Sequence, residues 1–132
     1  MKYVVDTHAL IWFLEGNPRL GTNAKAILSH PDSRLIIPAT TLAEAVWIVE
    51  KGKTSIPYAK DVIAAVEADS RVIIYALDKD VIELTMTLSA INEMHDRQIV
   101  ATALVLANRG EMVQLLSCDK NIIASNLVPI VW

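Results

Sequence analysis

Short apolar strands alternate with helical segments along the whole of this 132-residue sequence. The predicted strands are apolar on both faces, and helices separate them, which is typical of a parallel sheet covered on both sides. We predict strands at residues 3–5, 35–37, 72–75 and 114–117, and a short edge strand at 128–131. The expected architecture is a three-layer α/β fold with a short, mostly parallel central sheet flanked by helices.

Helix signals fill the intervals between these strands. We predict helices at residues 8–15, 22–29, 40–51, 57–69, 78–92 and 96–110. Pro57 favours a helix start because proline suits the first helical position, and Gly52 follows a helix end. Asp78 and Asp96 are expected to cap the helices that they open, since an aspartate there accepts hydrogen bonds from free backbone N–H groups.

The composition indicates a folded protein without a broad basic surface. Hydrophobic residues make up 53% of the chain and charged residues 20%, and the formal net charge is −3. Its single cysteine, Cys118, cannot form an internal disulfide, which suits a reducing cytoplasm. The longest nearly apolar run, 99–107, is far shorter than the ~20 residues of a membrane span, and Asp6 interrupts the apolar N-terminal stretch. We predict a single cytoplasmic domain over residues 1–132 that does not contact membranes.

Three acidic residues are predicted near one edge of the sheet. Asp6 and Asp119 each follow a strand directly, and the carboxyl ends of parallel strands form the edge where ligands bind. Glu44 lies one turn into the helix after the second strand, near the same edge. A helix cap explains Asp6 and Asp119 equally well, and Glu44 fits a capping box with Thr41.

The position of Asp96 is left open by the pattern. Two helices separate the third and fourth strands, so the edge at which its helix starts is undetermined, and capping is the simplest explanation. The remaining aspartates are interpreted as solvated or capping charges: Asp32, Asp61, Asp69, Asp78 and Asp80.

Convergence of these acids would need a cation or protons. Two carboxylates ~5 Å apart repel by about 3 kcal/mol at an effective dielectric constant near 20, whereas a helix cap contributes only ~1 kcal/mol. Ligation by oxygen atoms alone selects Mg²⁺ or Mn²⁺ rather than zinc. Capping explains each acid separately and does not explain a cluster.

Four segments together resemble the PIN-domain nucleases, in particular the VapC-type toxins of toxin–antitoxin pairs. The segments are DTHALIW at 6–12, AE at 43–44, HDRQIVATAL at 95–104 and SCD at 117–119. The resemblance implies a small α/β fold with an acidic pocket at one sheet edge, where Asp6, Glu44, Asp96 and Asp119 bind Mg²⁺ or Mn²⁺ and serve in catalysis. It further implies RNA cleavage, inhibition by a cognate antitoxin, and a homodimer.

This sequence departs from the family pattern just before the third aspartate. Many relatives carry an extra acid and a proline there, where this chain has Met94 and His95, and Glu93 is a candidate to replace the missing charge. No fifth acid follows Asp119.

Several neighbours of the acids have two interpretations. Thr7 and Ser117 either position ligands or make ordinary turn and cap bonds. Arg97 and Lys120 either contact phosphate or pair with an acid. The remaining side chains are interpreted as follows: Lys51 and Lys53 as solvated charges or a basic rim, His8 and His95 as structural contacts rather than a general base, Trp12 and Trp47 as core or interface, and Cys118 as inert.

Two other classes of function remain open. A phosphoryl-transfer protein would use a strand-end aspartate with Mg²⁺, but Asp6 lacks a second aspartate two positions later, and Asp78 is a loose match to an acceptor. A non-catalytic interaction module would use the four acids only as helix caps. Within the nuclease class, DNA is an alternative to RNA because the metal chemistry is the same.

Overall fold

The computed structural model describes all of residues 1–132, and its five strands form one parallel sheet. The strands are β1 (Lys2–Val5), β2 (Arg34–Pro38), β3 (Val72–Tyr75), β4 (Val113–Leu116) and β5 (Ile130–Val131). Their order is β3-β2-β1-β4-β5, and every neighbouring pair is parallel. The predicted parallel sheet is confirmed, with the edge strand β5 shorter than expected.

Seven helices cover the two faces of the sheet. They are α1 (Thr7–Glu15), α2 (Thr22–Ser29), α3 (Ala39–Glu50), α4 (Ala59–Ala68), α5 (Lys79–Thr85), α6 (Met94–Asn108) and α7 (Lys120–Ser125). The three-layer α/β prediction is therefore confirmed. None of these helices combines the length and apolar character that crossing a membrane requires.

Neighbouring residues of the central strands point to opposite faces and are buried on both. Val4, Ile36 and Leu115 pack against α5, α6 and α7, whereas the residue that follows each of them packs against α1 to α4. This placement follows from the two-residue period of a strand. It explains why the strands read as continuous apolar runs in the sequence.

The prediction of a helix at 78–92 was wrong at the C-terminal end. Asp78 caps α5 as predicted, accepting the Val81 N–H at 3.0 Å, but α5 ends at Thr85. Beyond it the backbone makes bonds to the residue three positions earlier, including Leu88 N–H to Thr85 and Ile91 N–H to Leu88. These tighter turns bury both Leu88 and Ile91 in the core.

Other helix starts also differ from the prediction. Helix α4 begins at Ala59 after Tyr58, not at Pro57, and α7 was not predicted. Asp96 does not cap α6, because the helix starts two residues earlier and Glu93 accepts the Asp96 N–H at 2.8 Å.

The capping box proposed for Glu44 and Thr41 is absent. Helix α3 starts at Ala39, which places Glu44 in its second turn, and the Thr41 hydroxyl donates instead to the Val5 carbonyl at 2.8 Å. The Glu44 carboxylate is thus free of the helix backbone and is directed to other contacts.

Candidate active site

Asp6 and Asp119 follow the central strands β1 and β4 and are joined by one hydroxyl group. Asp6 is 7% exposed; its Oδ1 accepts the Thr7 N–H at 2.7 Å and its Oδ2 accepts the Ser117 hydroxyl at 2.6 Å. The same Ser117 oxygen accepts the Asp119 N–H at 3.1 Å. Ser117 therefore fixes both acids, and burial raises the pKa of Asp6 against the opposing effect of this bond.

Asp119 caps α7 with only one of its two carboxylate oxygens. Its Oδ1 accepts the N–H groups of Asn121 at 2.9 Å and Ile122 at 3.0 Å, whereas Oδ2 makes no hydrogen bond within the protein. The cap interpretation of Asp119 is thus correct for Oδ1, while the second oxygen remains available to a ligand.

Glu44 joins the same edge through a contact between α3 and α1. Its Oε1 accepts the Thr7 hydroxyl at 2.7 Å, and Thr7 itself is buried. Burial raises the pKa of Glu44, and the bond from Thr7 opposes that effect. Thr7 therefore does more than ordinary turn bonding, because it orients a carboxylate of another helix.

Asp96 lies in the first turn of α6, and its carboxylate accepts no hydrogen bond within the protein. Burial, together with the charges of Asp119, Asp6, Glu93 and Glu44, raises the pKa of Asp96 to about 7. The helix thus starts at the same sheet edge as the other acids, which the sequence pattern left open. The structure brings together all four acids singled out in the sequence.

No lysine or arginine neutralises these four carboxylates. Every lysine and arginine nitrogen lies more than 4.0 Å from them, and Arg97 donates instead to the Ile91 carbonyl. Lys120 also forms no ion pair. Clustered carboxylates that lack a cationic side chain suit a divalent cation with a preference for oxygen ligands, so the donor set fits Mg²⁺ or Mn²⁺.

Glu93 and His95 lie beside this group, although only a weak sequence signal pointed to either residue. Glu93 Oε1 lies 2.7 Å from His95 Nδ1, which is 3.5 Å from Glu44 Oε2. A contact between α3 and α6 had no sequence signal at all: the Thr40 hydroxyl donates to Gln98 Oε1 at 2.7 Å. No spacing rule connects residues 58 positions apart.

The remaining candidates are more peripheral. His8 is exposed and its ring lies 5.3 Å from that of Trp12. Trp47 is 56% exposed and so is not a core residue; the Lys51 ammonium lies 5.4 Å from its ring centroid. Burial raises the pKa of the Cys118 thiol, which fits the prediction that it is inert.

Comparisons with known proteins concern nearly the whole chain. The model of the PIN domain family matches residues 3–124. Among solved structures, the VapC20 toxin of Mycobacterium tuberculosis, which cleaves the sarcin–ricin loop, has a TM-score of 0.71 at 16% identity over 96% of this chain and 97% of its own. No curated protein matches the sequence significantly.

Two toxin–antitoxin complexes are similar as well. VapBC2 from Rickettsia felis, bound to a DNA fragment from their promoter, has a TM-score of 0.70 at 17% identity over 99% of this chain and 98% of its own. VapBC-1 from nontypeable Haemophilus influenzae has a TM-score of 0.66 at 18% identity over 99% of this chain and 97% of its own. At such identities these likenesses concern the fold.

Proposed function

The chain belongs to the PIN domain family, and on that premise we propose that it is a metal-dependent endoribonuclease, the toxin of a toxin–antitoxin pair. One observation carries the proposal: acids from β1, α3, α6 and β4 meet at one sheet edge with no lysine or arginine to neutralise them. Such a group is costly without a cation, and capping cannot explain it, since Asp96 caps nothing.

The proposed ligands are Asp6, Asp96 and Asp119, with Glu44 bound directly or through water. When bound, one or two Mg²⁺ or Mn²⁺ ions supply an acidified water and neutralise charge on the scissile phosphate. Ser117 holds Asp6 and Asp119 in register, and Thr7 orients Glu44. The chain thus contributes rigid placement of its carboxylates, which limits the freedom lost when substrate binds.

The similar solved structures guide the proposed substrate and partner. One of them is a toxin that cleaves the sarcin–ricin loop, and two are complexes of a toxin with its antitoxin. We extend the proposal to an RNA substrate, a cognate antitoxin, a homodimer of single-domain chains, and a cytoplasmic location. The exposed Lys51 and Lys53 are proposed to contact phosphate, in a manner that is blind to sequence and sensitive to salt.

RNA cleavage by purified protein tests the proposal. We expect cleavage in Mn²⁺ or Mg²⁺, none in EDTA, and a loss of more than about 100-fold in the Asp6→Asn and Asp96→Asn variants. Asp61→Asn is the matched control, because Asp61 also lies in the first turn of a helix but is exposed and remote from the four clustered acids.

Three results would contradict the proposal. Cleavage that persists equally in Asp6→Asn and Asp96→Asn would show that a contaminant or another site cleaves the RNA. Cutting of DNA but not RNA would leave the metal chemistry and change the substrate. Acyl-phosphate formed from acetyl phosphate, without nuclease activity, would favour a phosphoryl-transfer protein instead.

A further inference from the structure

Glu44, Glu93 and His95 form a cluster of mixed ligand atoms beside the aspartates. One nitrogen or oxygen from each of them lies within 4.8 Å of the others. His95 Nδ1 is 2.7 Å from Glu93 Oε1 and 3.5 Å from Glu44 Oε2. The cluster therefore differs from the group of Asp6, Asp96 and Asp119, here called the aspartate pocket, in containing an imidazole nitrogen.

Both carboxylates of the cluster are held from outside it. Glu44 Oε1 accepts the Thr7 hydroxyl, and Glu93 Oε2 accepts the Asp96 backbone N–H. Each glutamate consequently turns its second oxygen toward His95. Such anchoring reduces the side-chain freedom that a bound ion would have to restrict.

The spacing of these atoms suits one ion. Two ligands that bind an ion at about 2.1 Å and subtend roughly a right to tetrahedral angle lie about 3.0–3.5 Å apart. The His95 Nδ1 atom is 2.7 Å from Glu93 Oε1, just below this range, and 3.5 Å from Glu44 Oε2, at its upper end. Imidazole suits zinc, copper, iron and nickel, whereas Mg²⁺ and Mn²⁺ prefer oxygen atoms.

We propose that Glu44, Glu93 and His95 bind a divalent transition-metal ion that favours nitrogen ligands, such as zinc, in preference to Mg²⁺. The inference rests on the proposed function, because Glu44 is shared with the aspartate pocket. His95 then determines which metal ions bind beside the aspartates. An ion held by His95, Glu93 and Glu44 competes with the ion of Asp6, Asp96 and Asp119 for the Glu44 carboxylate.

Calorimetry without RNA tests the site, with Zn²⁺ alone and with Mg²⁺ alone as probes. For His95→Gln we expect Zn²⁺ affinity to fall at least 10-fold and Mg²⁺ affinity to change less than twofold. Glu93→Gln retains an oxygen that can accept the Asp96 N–H, and it should also weaken Zn²⁺ binding. The control is His30→Gln, which removes an exposed histidine whose Nδ1 accepts the Asp32 N–H outside the pocket; it should change neither affinity.

Pulsed electron paramagnetic resonance of bound Cu²⁺, a paramagnetic ion that imidazole also suits, gives a second readout. A nitrogen coupling should be present in the wild type and in His30→Gln and absent in His95→Gln, while circular dichroism shows all variants folded. Equal Zn²⁺ binding by His95→Gln and His30→Gln, or a nitrogen coupling that survives in His95→Gln, would overturn the inference.

Failure of this site and failure of the proposed function give different results. RNA cleavage that depends on Asp6 and Asp96, together with Zn²⁺ binding that ignores His95, overturns the metal preference alone. Zn²⁺ binding that depends on His95 in a protein that cleaves no RNA supports the site while the nuclease proposal fails.

Discussion

Asp96→Asn is expected to stabilise the metal-free protein. Asp96 is partly buried among four other carboxylates, which together with burial raise its pKa from 3.8 to about 7. At about 1.4 kcal/mol per pKa unit the change corresponds to roughly 4 kcal/mol, and solvent screening at a partly exposed group reduces it to roughly 1–2 kcal/mol. Because asparagine keeps the shape and removes the charge, the free energy of unfolding in EDTA near pH 8 should rise by that amount.

The pH dependence has a definite sign. Between about pH 4 and pH 7 the folded wild type keeps a proton on Asp96 that the unfolded chain has released, so the stability due to this group falls as the pH rises toward 7. The advantage of Asp96→Asn should therefore be complete above pH 7 and disappear toward pH 4.

Urea denaturation in EDTA near pH 8 and near pH 4 measures the difference in the free energy of unfolding between Asp96→Asn and the wild type. In Mn²⁺ the order should reverse, because a ligand that binds only the folded state stabilises the wild type and not the variant. Asp61→Asn, the exposed first-turn control, should lose a few tenths of a kcal/mol near pH 8 through the helix dipole. An Asp96→Asn variant that is no more stable than the wild type near pH 8 would refute the argument that burial and the neighbouring carboxylates make the Asp96 charge costly.

Three further substitutions test the hydrogen bonds around and away from the pocket. Ser117→Ala removes the donor to buried Asp6 Oδ2, so urea denaturation should show a loss of about 1–3 kcal/mol. Thr7→Val keeps the volume but removes the donor to Glu44, and metal-dependent RNA cleavage should fall about 10- to 100-fold, with Thr7→Ser recovering most of it. Arg71→Gln removes a guanidinium bonded to an aspartate and two carbonyls at the opposite edge of the sheet, which should cost about 1–2 kcal/mol of stability and leave cleavage per folded molecule unchanged.

Each of these expectations has a contradicting result. Unchanged stability of Ser117→Ala would mean that water replaces the lost donor. Full activity of Thr7→Val would place Glu44 outside the chemistry, and a specific loss of cleavage in Arg71→Gln would show that the two edges of the sheet are coupled.

The sheet could be predicted from the sequence because its central strands obey one rule. Val4 and Val5 are both completely buried, so each strand reads as an uninterrupted apolar run bounded by helix signals. Asp6 and Asp119 could be placed with it, since Asp6 directly follows β1 and Asp119 comes shortly after the end of β4. Local pattern and tertiary position agree at these residues.

Asp96 could not be placed from periodicity because the chain before it is neither helix nor simple loop. Tight turns after α5 bury Leu88 and Ile91, and this packing decides where α6 begins. Glu93 then caps the helix through a longer side chain than the usual cap residues have. Tertiary burial, which no local spacing encodes, overrode the capping preference that favoured Asp96.

The exposure of Trp47 was equally hidden in the sequence. Helix α3 carries apolar residues on most of its surface, so its pattern does not distinguish the face packed on α1 and α4 from the face that contacts solvent. Only the arrangement of neighbouring helices shows that this tryptophan lies outside the core.

The hydrogen bonds of Ser117 determine when the acidic site can assemble during synthesis of the chain. The bond from Ser117 to Asp6 joins positions 111 residues apart, and β1 can pair with β4 only after Val113–Leu116 has been synthesised. A nascent chain on the ribosome therefore carries the first acid from the outset but lacks the strand that positions it. The topology of the sheet therefore delays assembly of the Asp6, Ser117 and Asp119 contacts until the segment that contains β4 has been made.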